Sequence, residues 1–192
     1  MSYIVRELKP TFDRLTQPFA ELMRRLDLTP NAITIVGLFF VSLGSLMLYY
    51  EKNLLAFLFL LTGALCDTLD GSLARQSGKS SEFGAFLDSL TDRVSDALPF
   101  VAIALSSEDE MLSFTAMTAV VFSYTVSYAR ARAEGLGYSL KVGIFERAER
   151  WIVLLTGVIL DMLMIATMIV AIGSFVTTLQ RVYTFRKLTG GE

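Results

Sequence analysis

The sequence predicts an all-α integral membrane protein: a single domain over 1–192 with six transmembrane helices and an N-terminal interfacial amphipathic helix. Three observations lead there. Hydrophobic residues make up 53% of the chain and charged residues 19%, far from the balance of a soluble domain. Apolar runs at 33–50, 102–105 with its neighbours, 111–126 and 151–176 are long or repeated enough for spans of about 20 residues each. Outside the spans, every Lys and Arg except Lys52 falls in the N-terminus, 75–82, 130–150 or the tail with Arg181, Arg186 and Lys187. The positive-inside bias assigns these four segments to the cytoplasm, a parity that six spans satisfy and five do not.

The elements follow in order. Ile4, Leu8, Phe12, Leu15, Phe19, Leu22, Met23 and Leu26 recur at three- and four-residue steps among Arg6, Asp13, Arg14, Arg24 and Arg25. This pattern predicts an interfacial helix over 1–28, interrupted or kinked at Pro18, with no h-region or cleavage site to mark it for removal. The six-helix bundle is expected over 31–186. Thr29 before Pro30 breaks the chain and Asn31 offers a cap for the first span, which runs to about Tyr50. A polar turn at Glu51–Asn53 leads into the second span. The Ser- and Gly-rich loop 76–82 separates it from a third helix starting near Phe83 and ending at Leu105. After "SSEDE", a fourth span covers Met111 to about Tyr128, and the charged stretch 129–150, with Gly135, Gly137 and Gly143, reads as a loop. The run 151–176 is rather long for one helix and has no obvious break except Asp161, and the parity of the basic segments places a turn near that residue.

Composition excludes several classes. A net charge of −2 without a basic tract or aromatic-basic platform argues against nucleic acid as a partner. One cysteine, Cys66, rules out an internal disulfide and reads as a small packing residue. The absence of histidine removes the commonest general base, so proton transfer must lean on carboxylates. Trp151, beside a charged stretch, reads as an interfacial anchor.

The charge that stands out is acidic. Asp67 and Asp70, three apart, end the second helix; Asp88 and Asp92, four apart, begin the third. Each pair shares a helical face, and one short loop brings the pairs together. Four convergent carboxylates at membrane depth need counter-charge, and one or two hard divalent cations such as Mg²⁺ or Mn²⁺ supply it through oxygen ligands. Paired metals also serve displacement at phosphorus. Between the acids, Gly71 permits close approach, Ala74 is small, and Arg75 offers a fork for a phosphoryl oxygen. Asp96, one turn beyond Asp92, is expected to pair with Arg93 or another polar group, with a proton relay as the alternative.

The pattern Asp67-x-x-Asp70-Gly71-x-x-Ala74-Arg75, eight residues, Gly84-x-x-x-Asp88-x-x-x-Asp92 resembles in full the signature of the CDP-alcohol phosphotransferases. The resemblance implies attack of a hydroxyl on the β-phosphorus of a CDP-linked lipid, CDP-diacylglycerol or CDP-archaeol, with release of CMP. It implies that Asp67, Asp70, Asp88 and Asp92 hold two metal ions and that Asp92 is the catalytic base. Gly71, Ala74, Arg75 and Ser81, with Pro30, Asn31, Ala32 and Ile33 of "TPNAIT", would contact the CDP-lipid. A homodimer is also implied, in the cell membrane of a prokaryote with the site facing the cytoplasm.

Beside the acids lies a basic set: Arg130, Arg132, Lys141, Arg147, Arg150 and Arg181. Singly each is an ordinary interfacial cation; together, next to a metal site, they form an anion pocket for a phosphorylated acceptor. The set resembles the branch of the family that uses inositol 1-phosphate, with glycerol 3-phosphate as the runner-up. From another class, a cation transporter would also place carboxylates in a membrane, although the outer half of these spans is mainly Phe, Leu, Ile and Val.

Overall fold

The computed structural model describes residues 21, 29–77 and 81–190 and is all-helical there. The helix expected over 1–28 lies outside the described residues. Six helices follow: α1 Pro30–Tyr49, α2 Asn53–Ser77, α3 Glu82–Ser106, α4 Glu110–Gly135, α5 Arg147–Ile159 and α6 Leu163–Leu188. Four of them, α1, α2 through Leu73, α4 and α6, are long and apolar enough to cross a membrane. The other two are the acidic α3 and α5, which has only 13 residues.

Local chemistry sets the helix boundaries. Thr29, not Asn31, caps α1: its hydroxyl accepts the Ala32 N–H at 3.2 Å, while Pro30 occupies the first turn, where its missing N–H costs nothing. Ser81 caps α3 by accepting the Gly84 N–H at 3.0 Å, and Asp109 caps α4 through the Met111 N–H at 2.8 Å. The tight reversals fall at Glu51 and Asp161, both at positive φ (57° and 56°), in agreement with the turns expected at those places. Across the molecule the Asn53 amide donates to Asp161 at 2.8 Å, tying the start of α2 to the α5–α6 turn. The loop expected over 129–150 is shortened at both ends: α5 already begins at Arg147, and the other departure is the fourth helix. It continues to Gly135, well past Tyr128, so Arg130 and Arg132 stand on a helix rather than in a loop.

The strongest contacts close a ring in the order α1, α2, α5, α6, α4, α3 and back to α1. Its core is packed with Val41, Leu60, Phe100, Ile103, Leu154, Val158 and Val170, all nearly inaccessible. At the α1–α2 seam a Cβ on Gly63 would lie 2.5 Å from Val41 Cγ2 and 3.0 Å from the Gly37 carbonyl oxygen, so only hydrogen fits between these backbones. Outward-facing Phe39, Leu54, Phe86, Phe114 and Ile172 present an apolar perimeter suited to lipid. Polar side chains collect instead at the end of the ring where α2 finishes and α3 and α5 begin.

Candidate active site

Asp67 projects from α2, and Asp88 and Asp92 from α3, so that one carboxylate oxygen of each lies within 4.8 Å of the others. Asp70, one turn from Asp67, is buried and accepts the Thr34 hydroxyl of α1 at 2.5 Å. The donors are all oxygen, with no imidazole or thiolate among them, and they fit a hard divalent cation.

A cationic side chain already reaches into this cluster. Arg147, the first residue of α5, places Nη1 at 3.0 and 3.1 Å from the two Asp67 oxygens and against the Asp92 carboxylate. Its Nε donates to Asp96 at 3.0 Å. Asp96, itself buried, also accepts Arg150 Nη2 at 2.6 Å and the Trp151 indole N–H at 2.9 Å. Asp96 pairs with other polar groups of the bundle rather than with Arg93, within what was expected of it, and the reading of Trp151 changes. The partners of Asp96 are Arg147, Arg150 and Trp151, whereas Arg93 lies 3.7 Å from Asp92. Trp151 is buried and hydrogen-bonded to Asp96 instead of anchoring at an interface, because α5 begins four residues before it and turns it inward. A signal for this node was present in the spacing: Arg147, Arg150 and Trp151 share one helical face once a helix starts at residue 147.

A cavity of about 530 Å³ opens beside the acids, and its lining includes Asp67 and Asp92 together with Arg93, Arg130, Arg147, Arg150 and Arg181. The arginines are held in different ways. Arg130 Nε donates to Glu134 at 2.9 Å, and the buried Arg181 donates to the Val142 carbonyl at 2.9 Å and to Glu146 at 3.4 Å. Arg132 lines a different, apolar groove on the other side of Arg181. Lys141 is exposed in the α4–α5 connection and lines neither. Pro30, Asn31, Ala32 and Ile33 form the first turn of α1, with Ile33 buried. The Asn31 amide oxygen and the Ser81 hydroxyl lie 2.9 and 3.1 Å from where a Cβ on Gly84 would sit, so the two meet at the signature glycine. Gly71 follows Asp70 in α2. The side chains of Ala74 and Arg75 lie outside the described residues.

This combination of apolar spans, a two-helix carboxylate cluster and an adjoining cationic cavity belongs to a class of membrane phosphotransferases. Residues 27–180 match the CDP-alcohol phosphatidyltransferase family, and the chain belongs to it. It is therefore an enzyme of phospholipid biosynthesis. It is 38% identical to the archaetidylinositol phosphate synthase of Pyrococcus horikoshii over 96% of this chain and 97% of that one. The crystal structure of Mycobacterium tuberculosis phosphatidylinositol phosphate synthase (PgsA1) with CDP-DAG bound has a TM-score of 0.81 and 32% identity, covering 90% of this chain and 94% of that one. The same enzyme in complex with manganese and citrate also has a TM-score of 0.81 and 32% identity, covering 88% of each chain.

Proposed function

We propose that the protein transfers the phosphatidyl or archaetidyl group of a CDP-lipid to a hydroxyl of inositol 1-phosphate, releasing CMP. The observation that carries this reading is the shared cavity: five arginines face the same space as two of the clustered aspartates. A phosphorylated acceptor whose phosphate rests on guanidinium forks presents its free hydroxyl toward the acids. Uncharged inositol and serine bring no phosphate to those guanidiniums.

In this mechanism Asp67, Asp70, Asp88 and Asp92 hold Mg²⁺ or Mn²⁺, two ions by the family pattern. Bound there, the metal supplies charge neutralisation of the diphosphate and of the departing CMP. Asp92 takes the acceptor hydroxyl proton as the new O–P bond forms and the bond to CMP breaks. The Asp70 carboxylate is oriented by Thr34, which fixes one ligand position from a third helix. Pro30, Asn31, Ala32, Ile33, Gly71, Ala74, Arg75 and Ser81 are the proposed contacts to the CDP-lipid. The proposal extends to six spans in a prokaryotic cell membrane, the interfacial helix over 1–28, the cavity facing the cytoplasm, and a homodimer.

The test is CMP release by the purified protein in lipid nanodiscs, with CDP-diacylglycerol or CDP-archaeol, divalent metal and one acceptor at a time. Inositol 1-phosphate is expected to give the highest kcat/KM, and EDTA to abolish turnover. A higher value for glycerol 3-phosphate would replace the acceptor, since it brings the same phosphate to the same arginines; turnover with neither would overturn the reading. Arg130→Ala is expected to raise the KM for inositol 1-phosphate about tenfold or more, the scale of a lost charge-assisted hydrogen bond, while the KM for the CDP-lipid moves less than about twofold.

A further inference from the structure

Beyond the reacting cavity, α4 and α6 border a second space of about 530 Å³, lined mainly by apolar side chains such as Ala129, Ala133, Leu140, Val182 and Phe185. Arg132, Arg181 and Arg186 stand in its wall. We propose that this groove binds an anionic phospholipid, its phosphate between Arg132 and Arg186 and an acyl chain along Val182 and Phe185.

Charge complementarity favours that occupant. Arg93, Arg130, Arg147, Arg150 and Arg181 are each matched to a carboxylate, whereas neither Arg132 nor Arg186 forms an ion pair among the described residues. Both are exposed and lie in the closing turns of their helices. Those helices are among the four able to span a membrane, and basic side chains at the ends of spans meet lipid phosphates. The apolar lining separates this ligand from a free phosphate or a polyol phosphate, which would leave Val182 and Phe185 in contact with water. A neutral lipid would satisfy the walls and leave the two arginines unmatched.

The groove is also distinct from the reacting cavity. None of the aspartates lines it, and the one side chain common to both spaces is Arg181, whose guanidinium is already engaged by the Val142 and Val126 carbonyls and by Glu146. A lipid held there is a bound ligand rather than a reactant, and its binding is independent of which acceptor the enzyme uses.

The experiment uses the full chain in phosphatidylcholine nanodiscs titrated with phosphatidylglycerol, with retained lipid counted by native mass spectrometry. Arg132→Gln/Arg186→Gln is expected to weaken phosphatidylglycerol retention about 30-fold, two basic contacts at the membrane surface. Ala129→Trp, which fills the groove and keeps both charges, is expected to weaken it as well. Arg186→Gln alone, at an exposed position, carries a smaller loss of the same sign and stands in if the double variant does not fold. Inorganic phosphate is not expected to compete. Undiminished retention in the variants, displacement by phosphate alone, or a shift from dimer to monomer in Ala129→Trp, which would mark a second copy as the occupant, would each overturn the proposal.

Discussion

Asp96 joins three side chains of α5, although it stands outside the signature pattern. Its carboxylate binds Arg147, Arg150 and Trp151 while Arg147 reaches on to Asp67 and Asp92, so one buried anion orients the cations of the acceptor cavity. Asp96→Asn removes one partner of a buried ionic network and is expected to cost about 3–5 kcal/mol in thermal unfolding. Its kinetic signature should be selective: the KM for the phosphorylated acceptor rises about tenfold and that for the CDP-lipid stays within about twofold. Equal loss on both substrates would mean Asp96 merely supports the fold. At this scale the spacings that pair Asp67 with Asp70 and Asp88 with Asp92 were legible, because helical periodicity is a local property. The partners of Asp96 were not. They lie 51 to 55 residues further along the chain, and no local rule reports which distant helix end will arrive beside a carboxylate.

Helices show the same division. The turns at Glu51 and Asp161, the cap chemistry before α1 and the break between α2 and α3 are written in short stretches of sequence. The end of α4 was not visible, since "YARARAE" is polar enough to read as loop, yet Arg, Ala and Glu are good helix formers and extend the helix to Gly135. Nor could Ala102, Ala116 and Ala119, small residues that suit a helix–helix contact between subunits, be assigned from sequence to this chain's own core, where the structure buries them. At the seam of α1 and α2, Gly63→Leu is expected to cost about 1–3 kcal/mol, since its side chain would meet Val41 and the backbone of Gly37 with no room to relax. Unfolding in detergent measures it; a stability equal to the parent would mean the two helices separate without cost.

For the whole molecule, orientation is open to a direct measurement. The sole cysteine, Cys66, is buried, so introduced thiols are read against little background. With a membrane-impermeant maleimide, Glu108→Cys, between α3 and α4, is expected to be labelled in intact cells. Ser139→Cys, between α4 and α5, is expected to react only after the membrane is opened; the reverse pattern would turn the site outward. The membrane character of the chain was legible from its apolar runs, but ring order was not: α5 and α6 follow each other in sequence, while α3 and α4 complete the circuit with α1 and α6 through contacts that periodicity cannot name. The brevity of α5 has a further effect. Thirteen residues rise about 20 Å, short of the roughly 30 Å hydrocarbon slab, so under the proposed six-span arrangement the α5 end carrying Arg147 would sit beneath the plane of the headgroups. In that arrangement the cavity would be a wet hollow in one leaflet, where the proposed polyol phosphate meets a lipid that never has to be lifted out of the oil.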